Sequence, residues 1–311
     1  HRGQCDDDRP PPRQIDLIPA RRAKELHYND RHRHKRVADQ PMYEEYYGLK
    51  APPFNITPDP AYLFFSRRHR QAFEHILFGV SERKGFIQIT GEVGAGKSTI
   101  CRKVLEELRE GYATALILNP VMTPIQLMRS VLRELDLDDG GNDRIRLVER
   151  LNEFLLDRAH AGEVVALFID EAQDMSDDLL EQVRLLSNLE TDEQKLLQIV
   201  LIGQPELRGR LNHKGLRQLR QRITVRYHLG PINRQETTAY IQHRLLIAGS
   251  NGRPTFTRPA DWAIHRYARG VPRLINAVCD KTLLCGYVQG RDHLGWWQVR
   301  RAIHDLEGQG W

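Results

Sequence analysis

The chain reads as an α/β protein, a mainly parallel, helix-covered sheet followed by a small helical domain. Two observations predict this. Five short apolar runs, Phe86–Thr90, Thr114–Leu118, Val164–Ile169, Leu197–Ile202 and Val225–Leu229, alternate with helical patterns. Such alternation builds a helix-covered parallel sheet. The runs also lack strict period-two alternation, as strands buried on both faces do. After Pro231 no strand signal recurs and helical periodicity takes over.

Residues 1–41 carry Pro10, Pro11 and Pro12, a basic run from Arg31 to Arg36, and no apolar periodicity. They read as a disordered or non-native extension, with Met42 as a natural start. Residues 42–65 place Tyr43, Tyr46, Tyr47, Phe54, Tyr62, Phe64 and Phe65 among Pro52, Pro53, Pro58 and Pro60. Prolines fix turns and aromatics anchor, so this stretch is expected to wrap a domain surface. Arg67–Lys84 predicts a helix, with Phe73, Ile76, Leu77 and Val80 at helical spacing. Further helices are expected at about 97–110, 124–135, 144–161 and 176–189. Thr123-Pro124-x-Gln126 supplies an N-cap, a first-turn proline and a capping-box glutamine. Ser176-Asp177-Asp178 sets acids at a helix's positive end. Patterns at 233–248, 259–269, 272–287 and 296–306 complete the helical domain. The expected organisation is therefore 1–41, an α/β domain at 42–231 and a helical lid at 232–311.

Composition narrows the class. The chain has 311 residues, 40% hydrophobic and 28% charged, which excludes collagen-like and low-complexity proteins. The longest clean apolar run, Val164–Ile169, falls far short of the ~18 residues of a membrane-spanning helix. No secretory h-region appears at the N-terminus, so a cytoplasmic protein is expected. Four cysteines without a C-x-x-C pair argue against a zinc site or a disulfide framework. The net charge is +5, of which residues 1–41 contribute +3 and the other 270 residues only +2. Whole-chain charge is thus a poor argument for nucleic-acid binding.

The chemistry concentrates in five places. Gly91-Glu92-Val93-Gly94-Ala95-Gly96-Lys97-Ser98 fits G-x-x-x-x-G-K-[ST] between a strand and a helix. Its glycines let backbone N–H groups converge on phosphates, and the helix N-terminus adds positive potential. Lys97 is expected on the β- and γ-phosphates of ATP, Ser98 on a magnesium ion, and Thr99 beside them. Val164–Ile169 ends in Asp170-Glu171. Asp170 is expected to hold magnesium and Glu171 to polarise the attacking water as general base. Gln204, at the tip of the fourth strand, is placed to orient that water, the alternative being a glutamine satisfied in its loop. The run Leu216 to Ile223 holds Arg217, Arg220 and Arg222. It reads as a finger toward a neighbouring subunit's γ-phosphate, with Arg222 favoured and Arg220 next, or as a solvated basic face, or as a DNA-phosphate stripe. Arg273 follows Pro272 at a helix start, where a cation opposes the dipole. Such a locally unfavourable residue is a candidate for contacting the nucleotide.

These motifs and their surroundings resemble the AAA+ ATPases of the general secretion pathway protein A (ExeA-like) family. The likeness runs from Met42 to about Glu307. It includes Tyr47-Gly48-Leu49-Lys50, Thr57-Pro58-Asp59-Pro60, Asp170-Glu171-Ala172-Gln173, Ser187-Asn188-Leu189-Glu190, Gly203-Gln204-Pro205-Glu206-Leu207 and Gly270-Val271-Pro272-Arg273. It is strongest to members serving mannose-sensitive haemagglutinin (MSHA) pilus biogenesis, which lack a transmembrane helix and a peptidoglycan-binding tail. The resemblance implies a sheet order of 5-1-4-3-2, a helical lid, and ring or filament self-assembly on ATP. It makes Gln204 a sensor 1 residue and Arg273 a sensor 2 residue, and it sets Tyr47–Phe54 near the adenine base. It implies ATP hydrolysis that drives or regulates type IV pilus or type II secretion assembly, with partners at the inner membrane. The other reading is a DNA-binding transposition-regulator ATPase.

Overall fold

The computed structural model describes residues 43–57, 59–141, 143–192 and 194–308. The expectations for residues 1–41, Met42 and Pro58 lie outside the described residues. The α/β part runs α1 (Glu44–Tyr47), α2 (Arg67–Ser81), β1 (Phe86–Gly91), α3 (Lys97–Glu107), β2 (Tyr112–Ile117), α4 (Pro124–Glu134), α5 (Arg144–His160), β3 (Val164–Ile169), α6 (Asp177–Leu186), β4 (Leu197–Gly203), α7 (Pro205–Leu211), α8 (Arg217–Arg222) and β5 (Ile223–Leu229). The helical part comprises α9 (Arg234–Ile247), β6 (Thr255–Phe256), α10 (Arg258–Ala268), α11 (Pro272–Val288), β7 (His293–Leu294) and α12 (Trp296–Leu306).

The five long strands form one parallel sheet in the order β2-β3-β4-β1-β5. Read from its other edge this is 5-1-4-3-2, as the resemblance implied. Register sets where the strands end. Thr90 pairs with Gly203, and Ile169 with both Ile117 and Leu201. β1 and β4 therefore end level, and β3 ends two residues earlier, so that Asp170 and Glu171 extend it toward the same rim.

Alternation along the strands feeds two cores. Ile87, Ile89, Phe168, Val200 and Ile202 pack with α2 and α3 on one face. Phe86, Val165, Leu167, Ile199 and Leu201 pack with α4, α5, α6 and α7 on the other. The caps formed as expected. Thr123 and Gln126 make a full capping box, and the Ser176 hydroxyl accepts the Leu179 N–H.

A third core shows what the aromatic stretch anchors on: Tyr43, Tyr47, Leu49 and Phe54 are buried among α9–α12. Phe54 meets Phe256 edge-on, and the Tyr47 hydroxyl donates to Leu283 O at 3.1 Å. Burying each such ring is worth about 1.5–3 kcal/mol, and the helical part offers the concave apolar ground for it. Two short parallel strands, β6 and β7, also pair where no strand was expected, because two residues carry no periodicity. No helix among the described residues is long and apolar enough to cross a membrane.

Candidate active site

β1 delivers the chain to Gly91, and α3 begins at Lys97. Between them the loop turns through Gly94 at φ +76° and Gly96 at φ +97°, a region costly to any residue with a Cβ. Space demands glycine as well. A Cβ at Gly94 would sit 2.3 Å from the Arg273 Cβ, and one at Gly96 would sit 2.9 Å from His69 Nε2. Lys97 is buried, and its Nζ donates to Gly91 O at 2.8 Å and Glu92 O at 3.1 Å. Burial pulls its pKa down, against the pull of the Glu171 and Asp170 carboxylates.

β3 delivers Asp170 and Glu171 to the same rim. The Asp170 N–H donates to Ile117 O at 2.8 Å, which continues the strand pairing one residue further. Its carboxylate accepts the Ser98 hydroxyl at 2.7 Å and the Glu171 N–H at 2.9 Å. Burial pushes the Asp170 carboxyl up, and these two hydrogen bonds hold it back. Glu171 sits in the left-handed region at φ +50°, which costs on the order of 1–3 kcal/mol. Its Oε2 accepts from Gln173 Nε2 at 2.8 Å and Gln204 Nε2 at 3.4 Å. Gln173 Oε1 in turn accepts the Gln204 N–H at 2.9 Å. One glutamine thus ties the carboxylate to the tip of β4.

Gln173 and His69 escaped the sequence reading. Gln173 stood at the end of Asp170-Glu171-Ala172-Gln173 without a role. His69 is buried at the start of α2; its Nδ1 meets the Ser66 hydroxyl at 2.6 Å, and its Nε2 meets Ala95 O at 2.9 Å. The carbonyl only accepts, so Nε2–H donates and Nδ1 accepts from Ser66. Burial lowers the His69 pKa, which favours this neutral form. A serine three residues before His69 signalled the cap. Nothing in the sequence tied that histidine to a loop twenty-six residues on.

A cleft of about 310 Å³ opens beside these groups; Asp170 and Gln173 are not among the residues that line it. Val93, Gly94, Gly96, Lys97, Ser98, Thr99, Glu171, Gln204 and Arg273 face one end of it. Of the other loop residues, Glu92 is exposed and Ala95 is buried. The Arg273 N–H donates to Gly94 O at 3.2 Å, so α11 touches the loop directly. The far end is lined by Tyr62, Phe64, Tyr240, Arg244 and Asn276. Arg244 is buried there, donating to Pro53 O at 2.5 Å, the Tyr240 hydroxyl at 3.0 Å and Asn55 O at 3.3 Å. The stretch from Asn55 to Phe64 supplies the lining, and Tyr47–Phe54 supplies none. Arg220 and Arg222 lie away from this cleft, bonded to Asn212 Oδ1 at 3.1 Å and Ser187 Oγ at 2.6 Å.

The profile of a family described as an AAA domain matches residues 80–211. General secretion pathway protein A of Aeromonas hydrophila is 42% identical over 268 residues, 86% of this chain and 49% of that protein. The chain thus spans about half the length of that relative. Among solved structures, the Aeropyrum pernix ORC2 protein in its ADPNP-ADP complexes superposes with a TM-score of 0.62 at 15% identity, covering 82% of this chain and 71% of that one. The Drosophila ORC bound to DNA gives 0.62 at 15% identity over 96% and 70%. The Thermotoga maritima RuvB branch migration motor gives 0.53 at 17% over 78% and 70%. These likenesses establish the fold, and with the longer sequence match they show that the chain belongs to the AAA+ ATPases of the general secretion pathway protein A family.

Proposed function

We propose that the chain binds ATP with magnesium and hydrolyses it to drive or regulate assembly of a type II secretion apparatus or an MSHA-like type IV pilus. It works as a ring or filament of copies in the cytoplasm, against the inner membrane. Residues 42–231 form the nucleotide-binding domain and 232–311 the lid. The observation that carries the reading is the Glu171 carboxylate, held by Gln173 and Gln204 on the rim shared with Lys97, Ser98 and Asp170.

The residues fit the metal. A hydroxyl and a desolvated carboxylate, 2.7 Å apart, are the hard oxygen donors magnesium takes. Ser98 and Asp170 would hold the ion, which supplies charge neutralisation for the phosphates. Lys97 trades its bonds to Gly91 O and Glu92 O for phosphate oxygens. Glu171 takes a proton from water as the water oxygen bonds to the γ-phosphorus and the bond to the ADP oxygen breaks. Gln204 orients that water, Arg273 approaches the phosphates from α11, and Arg222 or Arg220 completes a neighbour's site in trans.

The test is the steady-state ATPase rate against protein concentration, with and without duplex DNA at low and physiological salt. A rate that rises steeply with protein concentration and ignores DNA supports the reading. Strong salt-sensitive stimulation by DNA replaces it with the transposition-regulator reading, and no ATPase activity at any concentration removes both.

A further inference from the structure

A second cleft, of about 350 Å³, opens between the β1–β5 edge of the sheet and the short helices α7 and α8. It is lined by Arg208, Arg220, Arg226 and His228, and its floor is Gln88 and Thr90. No carboxylate lines it. Three guanidinium groups held together without a counter-charge repel one another, and they match the oxygen geometry of phosphate.

Its floor is equally specific. Gln88 and Thr90 are 6% and 3% exposed on β1, a strand paired on both sides, where apolar side chains are the rule. Thr90 Oγ1 meets His228 Nδ1 at 3.1 Å. Gln88 lines this cleft, and its amide takes no hydrogen bond from the described residues, which leaves its donors and acceptor open to a bound polar group.

The arginines are part-positioned already. Arg220 donates to Asn212 Oδ1 and Arg226 to Arg220 O at 2.5 Å, leaving most of their donors open. Arg208 makes no hydrogen bond or ion pair among the described residues. This is also a different place from the first cleft. Ile87 and Ile89 pack toward α3, so strand alternation puts Gln88 and Thr90 on the opposite face.

We propose that this cleft is a phosphate-binding site separate from the nucleotide cleft, the Gln88 amide, Arg208 and Arg226 gripping the oxygens of a phosphate ester. The ester is a small phosphorylated metabolite or one phosphate of a nucleic-acid strand. Its volume lies at the small end of ligand pockets, near 300 Å³, so a mononucleotide-sized group is the upper limit.

Inorganic pyrophosphate, without magnesium, is the probe, and Lys97→Ala is the background because it disables the first cleft. Calorimetric titration should show one pyrophosphate per chain in that background. Arg208→Gln together with Arg226→Gln, both exposed positions with little bearing on folding, should weaken it by about 100-fold or more, and Gln88→Leu by about tenfold. No binding in the Lys97→Ala chain overturns the proposal, as does binding that survives the double arginine substitution. A short duplex that displaces pyrophosphate identifies the polymer source; displacement by mononucleotides alone identifies the metabolite. This inference does not rest on ATP hydrolysis, so loss of ATPase activity leaves it standing.

Discussion

Glu171 is the most constrained functional side chain in the molecule. It sits at positive φ, its N–H on Asp170 and its carboxylate on two glutamines. Glu171→Gln keeps the shape and removes the proposed base. ATP affinity should stay within a few-fold while the single-turnover rate falls about 10²–10⁴-fold. Lys97→Ala should weaken nucleotide binding about 100-fold, read by equilibrium titration. His69 gives a pH signature. Its folded pKa lies below the ordinary 6.5, so the unfolded chain binds the extra proton first. The stability it supplies is present above about pH 6.5 and is lost as pH falls toward the folded value. Between about pH 7.5 and 5.5 the wild type should lose more thermal stability than His69→Gln, which keeps a donor for Ala95 O. At neutral pH, His69→Ala should destabilise by about 1–3 kcal/mol. Legibility at this scale tracked contiguity. The phosphate loop and Asp170-Glu171 are short strings whose spacing is their geometry. Gln173 and His69 act across turns and elements, and their roles appear only once β3, β4 and α2 are packed.

At the scale of elements, strand register does the assembling. Because Thr90 and Gly203 stop level and Ile169 stops two residues short of them, three loops far apart in sequence meet at one rim. The apolar runs made those strands legible within about two residues. The helices α7 and α8 were less so, being six or seven residues long, too short for a period to declare itself. Arg244 shows what joins the N-terminal stretch to α9. Its guanidinium serves Pro53 O, Asn55 O and Tyr240, stacked 4.7 Å from the Tyr62 ring centroid. Arg244→Leu orphans the buried Pro53 carbonyl, while Asn55 O keeps its bond from Asn276 Nδ2, so about 1–3 kcal/mol of stability should disappear. Calorimetric melting should read this as a drop of roughly 5–10 °C.

At the scale of the whole molecule, the described residues form three apolar cores, two on the sheet and one made jointly by residues 43–54 and α9–α12. The sequence pattern foretold the first two, since alternation and helical spacing report which faces are apolar. It did not foretell the third, because an aromatic, proline-rich stretch says that it will anchor somewhere but not on what. The single peptide contact from Arg273 N–H to Gly94 O has a mechanical consequence. The phosphate loop and the first turn of a seventeen-residue helix share a pivot. A shift of the Gly94 carbonyl on nucleotide binding would therefore pass to the start of α11, and the length of that helix would enlarge it at the far end, where Val288 stands exposed.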